Sequence, residues 1–243
     1  MKHPSGIRPI YDFVLPVCNL KFENEVALES SSYLAGTSFL IGKRGFGITA
    51  AHVITQTNEN ERFVIVNHDG KEYAVPIGDV EAHPTEDIAI FKLDDLPDER
   101  VSYIKIENTE EHPPCDYIMW GYPEIISEEV QNMQLEDHFL KFRPDIVCFK
   151  GYVRRKIDFS PNPNLSMYQG EWFFEVSDIG GSCVSGSPLF KYGDQSRVMG
   201  VYIAESSSGR KCGYATVLES LADWSPVLLG TTIGAEAAST SEL

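Results

Sequence analysis

The feature that most constrains this chain is the spacing of its apolar runs. They are short, rich in β-branched and aromatic residues, and separated by Gly, Pro and Asn/Asp. Runs of that length read as strands rather than amphipathic helices. The expected strands are Thr37–Ile41, Gly47–Ala50, Arg62–Val66, Glu72–Ile77, Ile88–Leu93, Tyr117–Gly121, Ile146–Val153, Trp172–Val176, Pro188–Lys191, Val198–Ala204 and Gly213–Val217. Lys43-Arg44-Gly45 and His68-Asp69-Gly70 have hairpin chemistry, with glycine free to take a positive φ. So many short strands in one chain favour an all-β barrel or sandwich over any alternation of strand and helix. The best helix candidate is Leu218 to Leu229, shortened by Pro226.

Composition narrows the class of partner. A length of 243 residues with 42% hydrophobic side chains supports one large domain or two small ones sharing a core. The charge sum, 20 − 36 = −16, repels phosphate backbones. The one basic run, Arg154-Arg155-Lys156, reads as a solvated loop, so no nucleic acid is expected. Cys18, Cys115, Cys148, Cys183 and Cys212 are odd in number and lack metal-ligand spacing, which points to reduced thiols, no metal and a cytoplasmic setting. The first residues lack the apolar stretch of a signal peptide, and no window is long and apolar enough for a membrane helix. Asn164-Leu165-Ser166 matches a glycosylation sequon only formally.

Asn108–Pro114 reads as a linker and Asp158–Asn164 as a further loop. The expected organisation is an N-terminal extension over 1–32, a first β unit over 33–110, a second with the helix over 111–229, and a disordered tail over 230–243. The extension is too irregular in its apolar spacing to fold alone, and it is expected to pack on the β units or on a partner. The acidic stretch Glu124–Asp137 reads as an exposed loop or short helix in the second unit.

Three segments carry chemistry. Gly36-Thr37-Ser38-Phe39-Leu40-Ile41 leads through a hairpin to Gly47-Ile48-Thr49-Ala50-Ala51-His52, which puts a histidine just past a strand of small residues. Glu86-Asp87-Ile88-Ala89-Ile90 sets an aspartate at the mouth of an apolar strand. Ser182-Cys183-Val184-Ser185-Gly186-Ser187-Pro188 sets a serine in a tight turn before another. A serine hydroxyl is a weak nucleophile until an imidazole takes its proton, and that imidazole needs a carboxylate on its other nitrogen. Each element alone is an ordinary turn or structural residue. Their joint occurrence in the order His, Asp, Ser is what points to acyl transfer.

On these motifs the chain resembles the chymotrypsin-like (trypsin-fold) serine proteases, in particular bacterial trypsin-like peptidases without disulfides. The resemblance runs over about residues 33–224, through G-T-S-F-L-I-G…I-T-A-A-H-V, D-I-A-I-F-K-L and S-G-S-P-L-F, with Gly121-Tyr122-Pro123, Val198–Ile203 and Gly213–Leu218 as further matching stretches. It implies two six-stranded barrels of the trypsin-like fold with a short C-terminal helix. His52 would be the general base, Asp87 the orienting carboxylate and Ser185 the nucleophile, with the cleft between the barrels. The backbone N–H groups of Cys183 and Ser185 would form the oxyanion hole. The substrate pocket would fall near Ile179, Gly180, Ile203, Ala204, Glu205 and Gly213, with Asp178 close by. No cofactor is implied. The partner is a protein or peptide substrate, with room for an activating or regulatory protein.

Two positions depart from the family pattern. Cys183 stands where a glycine is usual, and a side chain there works against the turn the oxyanion hole needs. Val184 stands where zymogen-activated members carry an aspartate, which argues against activation by a newly cleaved N-terminus. Either Cys183 adopts the productive conformation anyway, or the hole is collapsed until substrate or a partner rearranges it. A third reading, with Cys183 as a nucleophile or redox sensor, ranks low because the frame Ser185-Gly186-Ser187-Pro188 fits serine. The expectation is an intracellular serine endopeptidase of narrow or regulated specificity. The alternative is a protease-fold binding or scaffold module whose oxyanion hole is impaired.

Overall fold

Alternation along the strands decides where the core lies. The computed structural model describes residues 10–23, 26–27, 33–55, 57–106, 113–124, 135–136, 139–140, 144–158, 170–206 and 211–240. Its strands are β1 (Val14–Asn19), β2 (Phe22–Glu23), β3 (Val26–Ala27), β4 (Tyr33–Ile41), β5 (Phe46–Thr49), β6 (Arg62–His68), β7 (Lys71–Pro76), β8 (Val80–Ala82) and β9 (Ala89–Lys92). There follow β10 (Lys105–Ile106), β11 (Cys115–Gly121), β12 (Leu135–Glu136), β13 (Phe139–Leu140), β14 (Val147–Asp158), β15 (Trp172–Val176), β16 (Pro188–Lys191), β17 (Arg197–Ser206) and β18 (Cys212–Val217). The helices are α1 (Ala51–Thr55) and α2 (Ile233–Ala238). Every strand expected from the sequence is present, most within a residue or two at their ends, while β4 begins four residues earlier than expected and β14 runs five residues further. Both expected hairpins close as their glycines require, with positive φ at Gly42, Gly45, Asp69 and Gly70.

The fold is the expected two-unit β architecture. In the second unit β17, β16, β11, β14, β15 and β18 follow one another, and β18 pairs back onto β17, which closes a six-stranded barrel. In the first unit the order β7-β6-β1-β4-β5-β9-β8 is a continuous ladder. The chain runs from β7 through Ile77–Asp79 into β8, and the Gly78 N–H and Asp79 carbonyl both bond Lys92, so the bent strand returns to β9. Alternate side chains then serve two purposes. Leu15, Val17, Val64, Val66, Ala89 and Phe91 fill one cluster. Val14, Cys18, Ile65, Ile88 and Ile90, on the opposite strand faces, meet Phe190, Val198 and Val201 of the second unit in another. Tyr117, Met119, Phe174, Met199 and Tyr202 fill the second barrel. Burial on both faces is why these strands read as near-continuous apolar runs.

Four expectations need correction. The extension over 1–32 contains β1, a central strand between β4 and β6 rather than an appendage. Pro16 disguises it, yet β6 pairs only with Val17–Asn19, so the missing N–H of Pro16 breaks no bond on that side. The boundary at 110 is also blurred: Lys105–Ile106 pairs with β17, and Leu140 pairs with Glu72 of β7. The run Arg154-Arg155-Lys156 lies on β14, where Arg155 bonds the buried Glu175 at 2.6 and 2.9 Å and Arg154 approaches it to 3.6 Å. Most of the expected linker Asn108–Pro114, the sequon, and most of the 124–137 and 158–164 stretches lie outside the described residues.

The fourth correction concerns the C-terminus. Leu218–Leu229 holds only a 3-10 turn over Glu219–Leu221, and the helix comes later, inside the stretch expected to be a tail. Thr232 caps it by accepting the Ala235 N–H at 3.1 Å. Ile233, Glu236 and Ala237 are buried along one face. The small residues that resemble disorder are needed for close approach: a Cβ at Gly234 would stand 2.9 Å from the Ala222 carbonyl. Glu236 pairs with Arg44 at 2.5 Å, and Arg44 also bonds the Leu229 carbonyl at 3.1 Å. Ile233→Ala is therefore expected to cost about 2–5 kcal/mol in denaturant unfolding, the range for truncating a buried aliphatic side chain. An unfolded tail would leave the midpoint unchanged.

Candidate active site

Strand β5 ends in Thr49, and Ala50-Ala51 are small enough to be buried at the start of α1, which lifts His52 to the surface of the first unit. Asp87 precedes β9, the strand paired with β5, so antiparallel register brings Asp87 beside His52. The contact is double. Asp87 Oδ1 accepts the His52 backbone N–H at 2.9 Å and Oδ2 contacts His52 Nδ1 at 2.6 Å. The Asp87 carbonyl also accepts the Ala51 N–H at 3.2 Å. A carboxylate can only accept, so Nδ1 carries the ring proton and Nε2 is left as the basic nitrogen. The His52 side chain is 33% exposed and that of Asp87 10%, so the pair presents one imidazole edge to solvent.

The serine turn is fastened to the first unit by Thr37. The Thr37 N–H bonds the Ser185 carbonyl at 2.8 Å and its Oγ1 donates to the Cys183 carbonyl at 3.3 Å. The same Oγ1 accepts the Tyr122 N–H at 3.0 Å, and the Thr37 carbonyl accepts Thr49 Oγ1 at 2.6 Å. Two glycines permit this approach. A Cβ at Gly36 would fall 2.6 Å from Val53 and 2.9 Å from the Ser185 carbonyl, so the helix of His52 and the turn of Ser185 meet over it. A Cβ at Gly186, where φ is +91°, would fall 1.8 Å from the Thr37 carbonyl.

The Ser185 hydroxyl donates to the Ile203 carbonyl at 3.1 Å and makes no hydrogen bond to His52. Cys183 takes a positive φ of 68°, the conformation that favours glycine. Its thiol compensates by donating to the Leu34 carbonyl at 3.0 Å. Burial, and secondarily the charge of Glu124, pushes that thiol up to about 12, so it is not a thiolate near neutrality. Val184 is buried in the core of the second barrel. Of the other residues expected around the site, Gly180 and Gly213 are buried, Ile203 is 3% exposed, and Ile179, Ala204 and Glu205 are half-buried. Gly180 and Gly181 both meet the 202–205 stretch of β17, the Gly180 N–H donating to Tyr202 Oη and the Gly181 N–H to Glu205 Oε2.

Sequence reasoning passes over Glu86, whose only signal is its place directly before Asp87. Glu86 is 5% exposed and reaches into the second unit, where Oε1 accepts the Glu171 N–H at 2.9 Å. Among the described residues its other oxygen has no hydrogen-bond partner, and it lies 2.3 Å from where a Cβ at Gly170 would stand. His83 Nδ1 accepts the Glu86 N–H at 3.0 Å, and its ring packs edge-on against Trp224. Burial lowers the His83 imidazole, in keeping with an unprotonated, accepting nitrogen.

Burial above all pushes the Glu86 carboxyl up; the Glu171 N–H opposes this, and the carboxylates of Glu171 and Asp87 add to it. In the folded state Glu86 holds its proton to a higher pH than in the unfolded chain. Its contribution to stability is therefore complete below the ordinary carboxylate range and is lost as pH rises through the raised value. Glu86→Gln keeps a neutral acceptor for Glu171 and cannot ionise. The melting temperature of Glu86→Gln minus that of the wild type is expected to be larger near about pH 7 than near about pH 4. An equal or smaller difference near neutrality contradicts the assignment.

Comparison with known proteins places this geometry. The family model for the trypsin-like peptidase domain matches residues 36–201. No curated protein matches the chain in sequence. Among solved structures, the active form of the Rv3671c protease from M. tuberculosis is 18% identical, with a TM-score of 0.57 over 86% of this chain and 77% of that one. The MamO protease domain from Magnetospirillum magneticum, in its apo form, is 14% identical, with a TM-score of 0.57 over 87% and 94%. The HtrA-type protease AlgW, solved with a decapeptide, is 14% identical, with a TM-score of 0.59 over 86% and 62%. At such identities the likeness is one of fold.

Proposed function

The chain belongs to the trypsin-like peptidase domain family, and from that premise we propose that it is a serine endopeptidase with Ser185 as nucleophile, His52 as general base and Asp87 as its orienting carboxylate. The observation that carries the reading is the double grip of Asp87 on His52, on the backbone N–H and on Nδ1, which leaves Nε2 to accept a proton. The backbone contact alone would suit a structural cap on α1; it is the second contact, on Nδ1 of a half-buried imidazole, that fixes the tautomer.

In the proposed reaction the Ser185 hydroxyl leaves the Ile203 carbonyl, at a cost of about 1 kcal/mol for one hydrogen bond, and turns to His52. Nε2 takes its proton as Oγ adds to the peptide carbonyl. The developing oxyanion is received by the N–H groups of Cys183 and Ser185, neither of which donates to a protein acceptor among the described residues. Collapse breaks the C–N bond, and His52 gives the proton to the departing amine. Water then repeats the sequence on the acyl-enzyme. A peptide substrate is supported by the peptide-bound AlgW neighbour, and a regulatory protein partner remains part of the reading. A cytoplasmic setting is supported by five cysteines that form no disulfide. Among the described residues no helix is long and apolar enough to cross a membrane.

One observation favours a second reading, a binding module without turnover: the Ser185 hydroxyl is bonded to Ile203 rather than to His52. Labelling with a fluorophosphonate separates the two. The wild type is expected to label at Ser185, with the rate falling roughly a thousandfold or more in Ser185→Ala and His52→Ala. Cys183→Gly is expected to retain labelling, because the backbone at 183 already holds a glycine-like φ. An unreactive wild type supports the binding module, and a Cys183→Gly variant that alone reacts identifies the side chain at 183 as the block.

A further inference from the structure

The crevice beside Ser185 has two walls, the 178–182 loop that leads into the serine turn and the 203–205 edge of β17. Ile203 is a bulged residue: Tyr202 pairs with Ala215 and Ala204 with Tyr214 on β18, so Ile203 has no partner of its own. The bulge turns the Ile203 carbonyl onto Ser185 Oγ at 3.1 Å. A residue whose carbonyl carbon touches Oγ must carry its side chain only two bonds further on, which brings it between these two walls.

That space is occupied by the protein's own side chains. Tyr202 is 1% exposed, and its Oη accepts the Gly180 N–H at 3.1 Å. On the other side of the ring a Cβ at Gly213 would stand 2.5 Å from Tyr202 Cε2 and 2.8 Å from the Asp178 carbonyl. The phenol thus reaches out of the second barrel's core and fills the depth between β18 and the loop. Nearer the rim, Glu205 Oε2 accepts the Gly181 N–H at 3.1 Å and the Tyr202 hydroxyl at 3.5 Å. Two side chains of one strand tie the facing wall shut at two depths.

We propose that Tyr202 and Glu205 stopper this crevice, so that the enzyme accepts substrates with a small, uncharged side chain on the residue whose carbonyl is attacked. The inference rests on the endopeptidase reading above. An aromatic side chain would need the volume of a buried phenol. A lysine or arginine would be drawn to Glu205 but would find no depth for its stem, and an acidic side chain would meet like charge. One or two methylenes too many in such a site cost about tenfold to a few hundredfold in selectivity.

The test uses peptide diphenyl phosphonates that differ only in the terminal residue, Ala, Val, Phe or Lys. Ser185 Oγ forms a bond to phosphorus, phenoxide leaves, and the hydroxyl proton passes to His52. The wild type is expected to react with the Ala reagent about tenfold or more faster than with Phe or Lys. Tyr202→Ala and the less buried Glu205→Ala are expected to shrink that ratio. A wild type that prefers Phe or Lys while still labelled by a small fluorophosphonate overturns the stopper and leaves the endopeptidase reading standing. Failure of the wild type to react with any of these reagents overturns both. A folded Tyr202→Ala with the wild-type ratio overturns the role of the ring.

Discussion

Thr37 is the residue on which the arrangement of the site depends. Fully buried, it uses its N–H, its hydroxyl in both senses and its carbonyl, and two of those bonds end on the carbonyls of Cys183 and Ser185. A buried polar group left unpaired costs about 1–3 kcal/mol, so the serine turn and β4 hold each other in one position. The glycines at 36 and 186 are what let two backbones come that close. The position of Ser185 relative to His52 then follows from the register of β4, β5 and β9, all within the first unit. The turn of Ser185, borne by the second unit, and the helix of His52, borne by the first, are held against each other over Gly36 chiefly by main-chain geometry.

The same economy explains Cys183 and Glu86. A cysteine at positive φ carries a local strain of about 1–2 kcal/mol, and its part-buried thiol bond to Leu34 adds a further tie from the turn to β4. Glu86 ties the loop of Asp87 to Glu171 of the second unit. The candidate site is therefore clamped at two places, on the serine turn by Thr37 and Cys183 and on the aspartate loop by Glu86. In the proposed reaction these clamps keep the parts in place, and the one group that has to move is the Ser185 hydroxyl.

Much of this is legible in the sequence. Strands with β-branched apolar runs between Gly and Pro announce themselves, and so does the family resemblance carried by Gly36–Val53, Asp87–Leu93 and Ser185–Phe190. What escapes has a physical pattern. Pro16 hides β1 because a local rule against proline in strands is answered by a neighbour that the sequence does not display. The Gly/Ala-rich α2 passes for a tail because small residues serve both disorder and close packing, and only Ile233 marks its buried face. The basic run at 154–156 reads as a loop because its neutralising partner Glu175 is distant in sequence. Tyr202 reads as one more strand residue, since nothing local reveals that the facing positions, Gly180 and Gly213, are empty of side chain and leave it the space between them.

The central claim is that Ser185 forms an acyl-enzyme with the help of His52. It is tested most directly by mixing the protein with an activated ester of a short peptide, quenching in acid, and reading the intact mass and the modified peptide. The account predicts an added acyl group on Ser185 that is lost on longer incubation as water completes the cycle. No adduct, or an adduct on Cys183, would contradict it.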